Sequence, residues 1–224
     1  MPASVQLSFI VGWIAMLAGG VAFWAMSRSL PMSEKRHGVA AMSIVFVAFA
    51  NYFAMAIGQG DIMVHGKTVF IARYTDWVIT TPILLASLAM MATPDLSRVR
   101  TLIGALIVAD IYMILTGLVG NLSVAPNNYY WWGISMVAFL AVLGMIWGPL
   151  RTEANQGHTA GEYSKLAMML TVLWIGYPIV WLIGSSGFDW ITLTVESWLY
   201  LVLDVTAKVG FGFVALAAAR HVRH

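Results

Sequence analysis

The sequence predicts an all-α membrane protein, a bundle of seven transmembrane helices with its N-terminus outside and its C-terminus cytoplasmic. Three observations carry that prediction. Of 224 residues, 60% are apolar and only 10% charged, against about 25% charged in a soluble domain. Seven continuous apolar runs each approach the roughly 20 residues that a helix needs to cross a bilayer core. The basic residues crowd into alternate connections, as the positive-inside rule requires. The composition excludes an ordinary water-soluble enzyme, and it excludes a disordered chain, which needs low hydrophobicity and high charge. Cysteine is absent, so there is no disulfide framework, thiolate metal site or cysteine nucleophile, and no metal is expected. A net charge of +2 is too small and too scattered for a nucleic-acid partner. The expected surroundings are the lipid bilayer of the cell (inner) membrane, crossed several times.

The spans are read at 7–27, 38–58, 69–92, 99–119, 128–149, 164–184 and 193–219. The first follows six residues with no basic group and precedes Arg28, Lys35 and Arg36. That polarity is wrong for a cleaved signal peptide, so it reads as a span entering from outside. The second returns to the outer connection bearing Lys67. The third carries Arg73 and Asp76, the fourth Asp110. The fifth and sixth are rich in aromatic rings. The seventh carries Glu196 at its outer mouth, then Asp204 and Lys208. Short connections suit antiparallel neighbours in one domain, 1–224. Continuous rather than alternating apolar runs favour helices over a barrel. One side collects Arg28, Lys35, Arg36, Arg98, Arg100, Arg151, Lys165, Arg220 and Arg223, the other only Lys67.

Ionisable groups at membrane depth cost at least about 2.5–3.5 kcal/mol each on insertion scales and are functional hypotheses by default. With a rise of ~1.5 Å per residue, Asp76 and Asp204 lie at one level, roughly 10–12 Å in from the outer face. Lys208 is one turn deeper and shares a face with Asp204. Arg73 is about a turn shallower than Asp76. The expected stack, from outside inward, is Glu196, Arg73, the two aspartates, then Lys208. One reading is a structural ion-pair network. The other is chemical: a buried lysine suits Schiff-base formation with an aldehyde, and the carboxylates would balance the cation that results.

In span six, Trp174, Tyr177 and Trp181 fall on one helical face. Trp77 follows Asp76, and Trp132 lies in span five. Trp132 and Trp181 also suit an interfacial aromatic belt, whereas Trp174 is too deep for one. Met113 and Gly117 leave room beside the rings. Together these residues suggest a flat apolar slot ending at Lys208, shaped for a conjugated polyene aldehyde.

Span three reads ARYTDWVITTPILLASLAMM, span six LWIGYPIVWLIGSSG and span seven LVLDVTAKVGFGF. In this order they resemble the matching helices of the type 1 (microbial) rhodopsins. The likeness covers essentially the whole chain. LWIGYPIVW, FWAMSRS and AMAIGQG are similar to the cyanobacterial sensory rhodopsin and its bacterial relatives. The resemblance implies all-trans retinal on Lys208 as a protonated Schiff base. It implies Asp76 as counterion and primary proton acceptor, Asp204 as second counterion and Arg73 beneath the pair. Tyr52 and Tyr177 match positions near the counterions, Tyr177 bonding to Asp204, and Thr80 is placed to bond Asp76. Trp77, Thr81, Leu84, Met113, Gly117, Trp132, Phe139, Trp174, Pro178 and Trp181 match retinal-pocket positions. Asp110 matches a pocket-side acid that stays protonated.

Two departures bear on function. Ser87 stands where pumps of this family carry a carboxylic cytoplasmic donor. The outer release pair of some archaeal pumps is incomplete, with Glu196 present but Ser186 as its partner. The intact Arg73, Asp76, Asp204 and Lys208 core favours an outward proton pump working through Ser87 and water. The sensory cyanobacterial relative has proline in place of Asp204, which weakens transfer of its role. The alternative remains a slow-cycling photosensor signalling to a separate transducer, and a homo-oligomer stays open.

Overall fold

The computed structural model of the chain describes residues 1–157 and 159–221. Arg223, counted above among the cytoplasmic cations, lies outside the described residues. Seven helices are long and apolar enough to cross a membrane: α1 Ala3–Arg28, α2 Met32–Ala56, α3 Ile71–Ala92, α4 Arg100–Leu122, α5 Asn127–Gln156, α6 Ala160–Ile183 and α7 Leu193–Arg220. Proline marks several starts, with Pro2, Pro31 and Pro126 each just ahead of a first helical turn, where a missing N–H costs nothing. At the head of α7 the Thr192 hydroxyl accepts the Val195 N–H at 3.3 Å, a side-chain cap for a helix start.

Two helices contain a wide π turn. In α5 it spans Ile146–Leu150 and includes Pro149; the Ile146 carbonyl there accepts the Tyr163 hydroxyl at 2.6 Å. In α7 it spans Thr206–Gly210 and carries Lys208. Such turns often mark functional positions. α5 also runs beyond the expected residue 149, because Arg151–Gln156 continues the helix with polar residues that an apolar count does not register.

An element absent from the expected all-helical pattern lies between α2 and α3. Strands β1 Asp61–Val64 and β2 Lys67–Phe70 pair antiparallel, with Val64 opposite Lys67. The two-residue turn His65–Gly66 has φ of 50° and 77°, the left-handed pair that a tight hairpin needs. Val69 and Phe70 are buried and seat the hairpin on the bundle.

Contacts distinguish the two ends. At the end bearing the N-terminus, Gln6 Nε2 donates to Ala56 O at 2.9 Å and Lys67 Nζ to Ser185 O at 2.6 Å. At the opposite end, Arg36 donates to Pro94 O at 3.1 Å, Arg220 to Ser29 Oγ at 2.9 Å, and Arg98 lies 3.8 Å from Glu153. The latter end carries all the described basic residues expected on the cytoplasmic side. α3 is buried on almost every face, from Ala72 to Ala92. It is therefore the helix best placed to bring charges into the interior.

Candidate functional site

The charged residues of α3 and α7 meet at the centre of the bundle. Lys208 Nζ lies 2.6 Å from Asp76 Oδ2 and 2.7 Å from Asp204 Oδ1. The three side chains are buried, and unpaired charges at this depth would not be tolerated. Lys208 lies four residues after Asp204, within the π turn, and its amine reaches back to that carboxylate. The two carboxylates are not equivalent. Asp204 accepts from Tyr52 at 2.7 Å, Tyr177 at 2.8 Å and Trp77 Nε1 at 3.1 Å, besides Lys208. Every one of these partners donates, so both oxygens serve as acceptors. Asp76 takes Lys208 on Oδ2 and has the Thr80 hydroxyl beside its carboxylate, fewer donors than Asp204 gathers.

Toward the N-terminal end the next charge is Arg73. It lies 3.8 Å from Glu196 and its guanidinium sits 4.3 Å from the centre of the Tyr200 ring, a cation–π distance. Among the described residues its ion pair is with Glu196 rather than with the aspartates. Glu196, expected at the mouth, is buried at 4% exposure and accepts the Ser185 N–H at 2.8 Å. The ion pairs form two groups, Arg73 with Glu196 and Lys208 with Asp76 and Asp204.

A cavity with almost wholly apolar walls lies beside this cluster. Trp77, Thr81, Met113, Gly117, Trp132, Phe139, Trp174, Tyr177, Pro178 and Trp181 all line it. Tyr74, Ile114, Ser135, Met136 and Tyr200 line it too and were not foreseen. Tyr200 was open to discovery, since it lies one turn from both Glu196 and Asp204 on the same face. Gly117 leaves the space the sequence suggested: a Cβ there would meet nothing closer than Ser135 Oγ at 3.7 Å. Trp132 donates to the Pro178 carbonyl at 3.3 Å, so it braces two walls rather than serving only as a belt residue.

Several expectations need correction. Leu84 does not line the cavity; at 1% exposure it packs in the core with Met113, Phe139 and Trp174. Asp110 also stands behind the wall, 2.6 Å from the Thr81 hydroxyl, which is itself 2.7 Å from the Trp77 carbonyl. The Thr80 hydroxyl donates to the backbone carbonyl of Asp76 at 2.9 Å, as a helical threonine readily does, and also lies within hydrogen-bonding reach of the Asp76 carboxylate. Lys208 is not itself part of the slot's walls; it lies beside them, bonded to the Asp204 that Trp77 and Tyr177 also contact. Trp77 and Tyr177, which donate to Asp204, form the boundary between slot and ion cluster. Ser87 is buried on the far side, toward the basic end. Ser186 bonds Asn121 Oδ1 at 2.8 Å.

Also unforeseen is a buried pair at the basic end, Glu34 and His37, with Nε2 3.4 Å from Oε2. The signal was a carboxylate three residues before an imidazole at a helix start.

The described residues contain no group of His, Cys, Asp and Glu able to hold a metal ion. The donor set suits an aldehyde cofactor instead: one buried amine, two balancing carboxylates and an adjacent ring-lined slot.

Comparison with known proteins agrees. A family model described as bacteriorhodopsin-like protein matches residues 3–222. Archaerhodopsin-2 from Halobacterium sp. (strain aus-2) is 40% identical over 215 residues, covering 92% of this chain and 82% of that protein. Sensory rhodopsin-2 from Natronomonas pharaonis is 35% identical, covering 96% and 89%. Among solved structures, a cyanorhodopsin from Calothrix sp. NIES-2098 superposes with a TM-score of 0.92 at 37% identity, covering 99% of this chain and 97% of that one. The light-driven proton pump rhodopsin of Coccomyxa subellipsoidea gives 0.89 at 31%, covering 97% of each.

Proposed function

The chain belongs to the bacteriorhodopsin-like family of type 1 (microbial) rhodopsins, and from that premise we propose that it is a light-driven outward proton pump lacking a carboxylic cytoplasmic donor. Rhodopsins of this family are photoreceptors of the cell membrane that bind retinal through a Schiff-base lysine. Here that lysine is Lys208 and the isomer all-trans. Trp77, Thr81, Met113, Gly117, Trp132, Phe139, Trp174, Tyr177, Pro178 and Trp181 would hold the polyene. Bound retinal supplies light absorption and a light-driven change in the placement and proton affinity of the nitrogen at Lys208.

The remaining steps belong to the protein. The observation that carries the pump reading is the unequal pair of carboxylates around Nζ. Asp204 has four donors and stays a fixed anion. Asp76, 2.6 Å from Nζ and with fewer donors than Asp204, takes the proton: the N–H bond breaks as the O–H bond forms. Neutral Asp76 then no longer faces the cation as a charge, and the field on Arg73 changes. Arg73 bears on Glu196, and a proton leaves at the N-terminal end, taken as the outside. Thr81 has one hydroxyl proton; spent on the Trp77 carbonyl, it leaves Asp110 to supply the other bond as a carboxylic acid. On the cytoplasmic side Ser87 offers a hydroxyl and no carboxyl, so reprotonation draws on water and the bulk.

The test is light-induced pH change in cells making the protein. Acidification of the medium that a protonophore abolishes is the expected result; a visible pigment with no pH change refutes pumping. That second outcome is what the sensor reading predicts. It is supported by the absence of a carboxyl group at Ser87 and by the likeness to a sensory rhodopsin, and it would require a separate transducer.

A further inference from the structure

The connection 184–192 between α6 and α7 has neither helix nor strand of its own, yet it is tightly held. Phe188 N–H bonds back to Leu182 O at the end of α6 at 2.7 Å, and Asp189 N–H to Gly184 O within the connection at 2.9 Å. Three successive carbonyls are then taken by side chains from elsewhere. Ser185 O accepts from Lys67 Nζ of β2 at 2.6 Å, Ser186 O from Asn128 Nδ2 of α5 at 3.0 Å, and Gly187 O from the Tyr129 hydroxyl at 3.3 Å. The N–H of Ser185 points the other way and donates to Glu196 Oε2 at 2.8 Å. Glu196 lies against bare backbone there, since a Cβ on Gly184 would sit 2.7 Å from the same oxygen.

We propose that Lys67 is a positioning residue for Glu196: by holding the carbonyl flank of Ser185 it keeps that residue's N–H on the exit carboxylate. The inference rests on the pump reading for its part in transport. Asn128 and Tyr129 hold the next two residues; among the described side chains Lys67 is the one that holds the residue whose N–H bonds Glu196. Lys67 has a firm base for this. It closes the hairpin opposite Val64, and the buried Val69 and Phe70 tie β2 to the bundle. The lysine is exposed, so its bond contributes little to stability. What it controls is where one N–H points. The hairpin is thereby coupled to the proton exit through a single residue of a different loop.

The test uses full-length, retinal-loaded protein with Lys67→Met, Lys67→Arg and Glu196→Gln. A bulk pH dye after a flash, on detergent-solubilised protein, times proton release. An infrared spectrum identifies the carboxyl band that Glu196→Gln removes. Lys67→Met is expected to lengthen the release lag about threefold to tenfold, the effect of one loosened hydrogen bond, and to shift the Glu196 band. Lys67→Arg, which can still donate, restores both. A lysine that merely stabilised the loop would lower thermal stability and move neither. Wild-type lag and band in Lys67→Met overturn the proposal. Failure of the pump reading is separable: vesicles of wild-type protein would show no net light-driven transport, while a shifted Glu196 band in Lys67→Met would still uphold the positioning role.

Discussion

Replacing Gly12 by alanine tests how closely the ion cluster depends on packing in a helix that carries none of its charges. A Cβ on Gly12 would overlap Cδ1 and Cε1 of Tyr52 and lie 2.9 Å from Leu201 Cδ1. Carbon contacts settle near ~3.5 Å, so the Tyr52 ring must withdraw by about 1 Å. Its hydroxyl donates to Asp204 at 2.7 Å, and a move of that size carries the pair beyond hydrogen-bond range. Losing a bond to a charged group costs about 1.5–3 kcal/mol, and overpacking adds about 1–3 kcal/mol. The sum, about 2.5–6 kcal/mol, corresponds at its lower end to a rate factor of about 70. The assay is the rate of thermal loss of helical circular dichroism and visible absorbance, because membrane proteins of this kind are compared by unfolding rate. Tyr52→Phe alone should speed the loss by at least about tenfold. In the Gly12→Ala background it should add less than about threefold, since the bond is already broken. A Gly12→Ala rate within threefold of wild type, or an undiminished Tyr52→Phe effect in the double variant, refutes the reasoning.

Lys208→Ala should give a folded protein that develops no visible pigment when retinal is added; a retained absorption band would remove Lys208 from its role. Recovery of the ground state after a flash should slow as pH rises, by up to about tenfold per unit where bulk protons limit it, because one pH unit is a tenfold change in proton concentration. A recovery time independent of pH would show that an internal donor supplies the proton despite Ser87.

The bundle and its charges were legible for one physical reason. A bilayer makes each buried charge expensive, so the few that occur at depth in α3 and α7 stand out, and helical rise alone put Asp76 and Asp204 at one level. What hydrogen-bond geometry decides was not legible. Nothing in the spacing said that Asp204 would gather Tyr52, Tyr177 and Trp77 while Asp76 had fewer donors. Thr80 faces Asp76 on a helical wheel, and only the structure reveals that its hydroxyl also bonds the main chain. Leu84 lies on the expected side of α3, but a wheel does not say whether a side chain reaches a cavity or stops in the core behind it. The hairpin escaped because its strands are four residues each and an apolar count takes no notice of them. The His65–Gly66 turn was its one local sign.

The hairpin also gives the molecule a chemical handle. The sequence has four lysines, and the fold sorts them into three settings. Lys208 is sealed inside, Lys35 and Lys165 belong to the basic end, and Lys67 alone stands at the other, carried out by β2. An amine reagent that does not cross lipid therefore meets one set or the other according to which face of the membrane it approaches. Peptide mapping of sealed cells would read the direction of insertion from unaltered protein, without a tag or an added reporter.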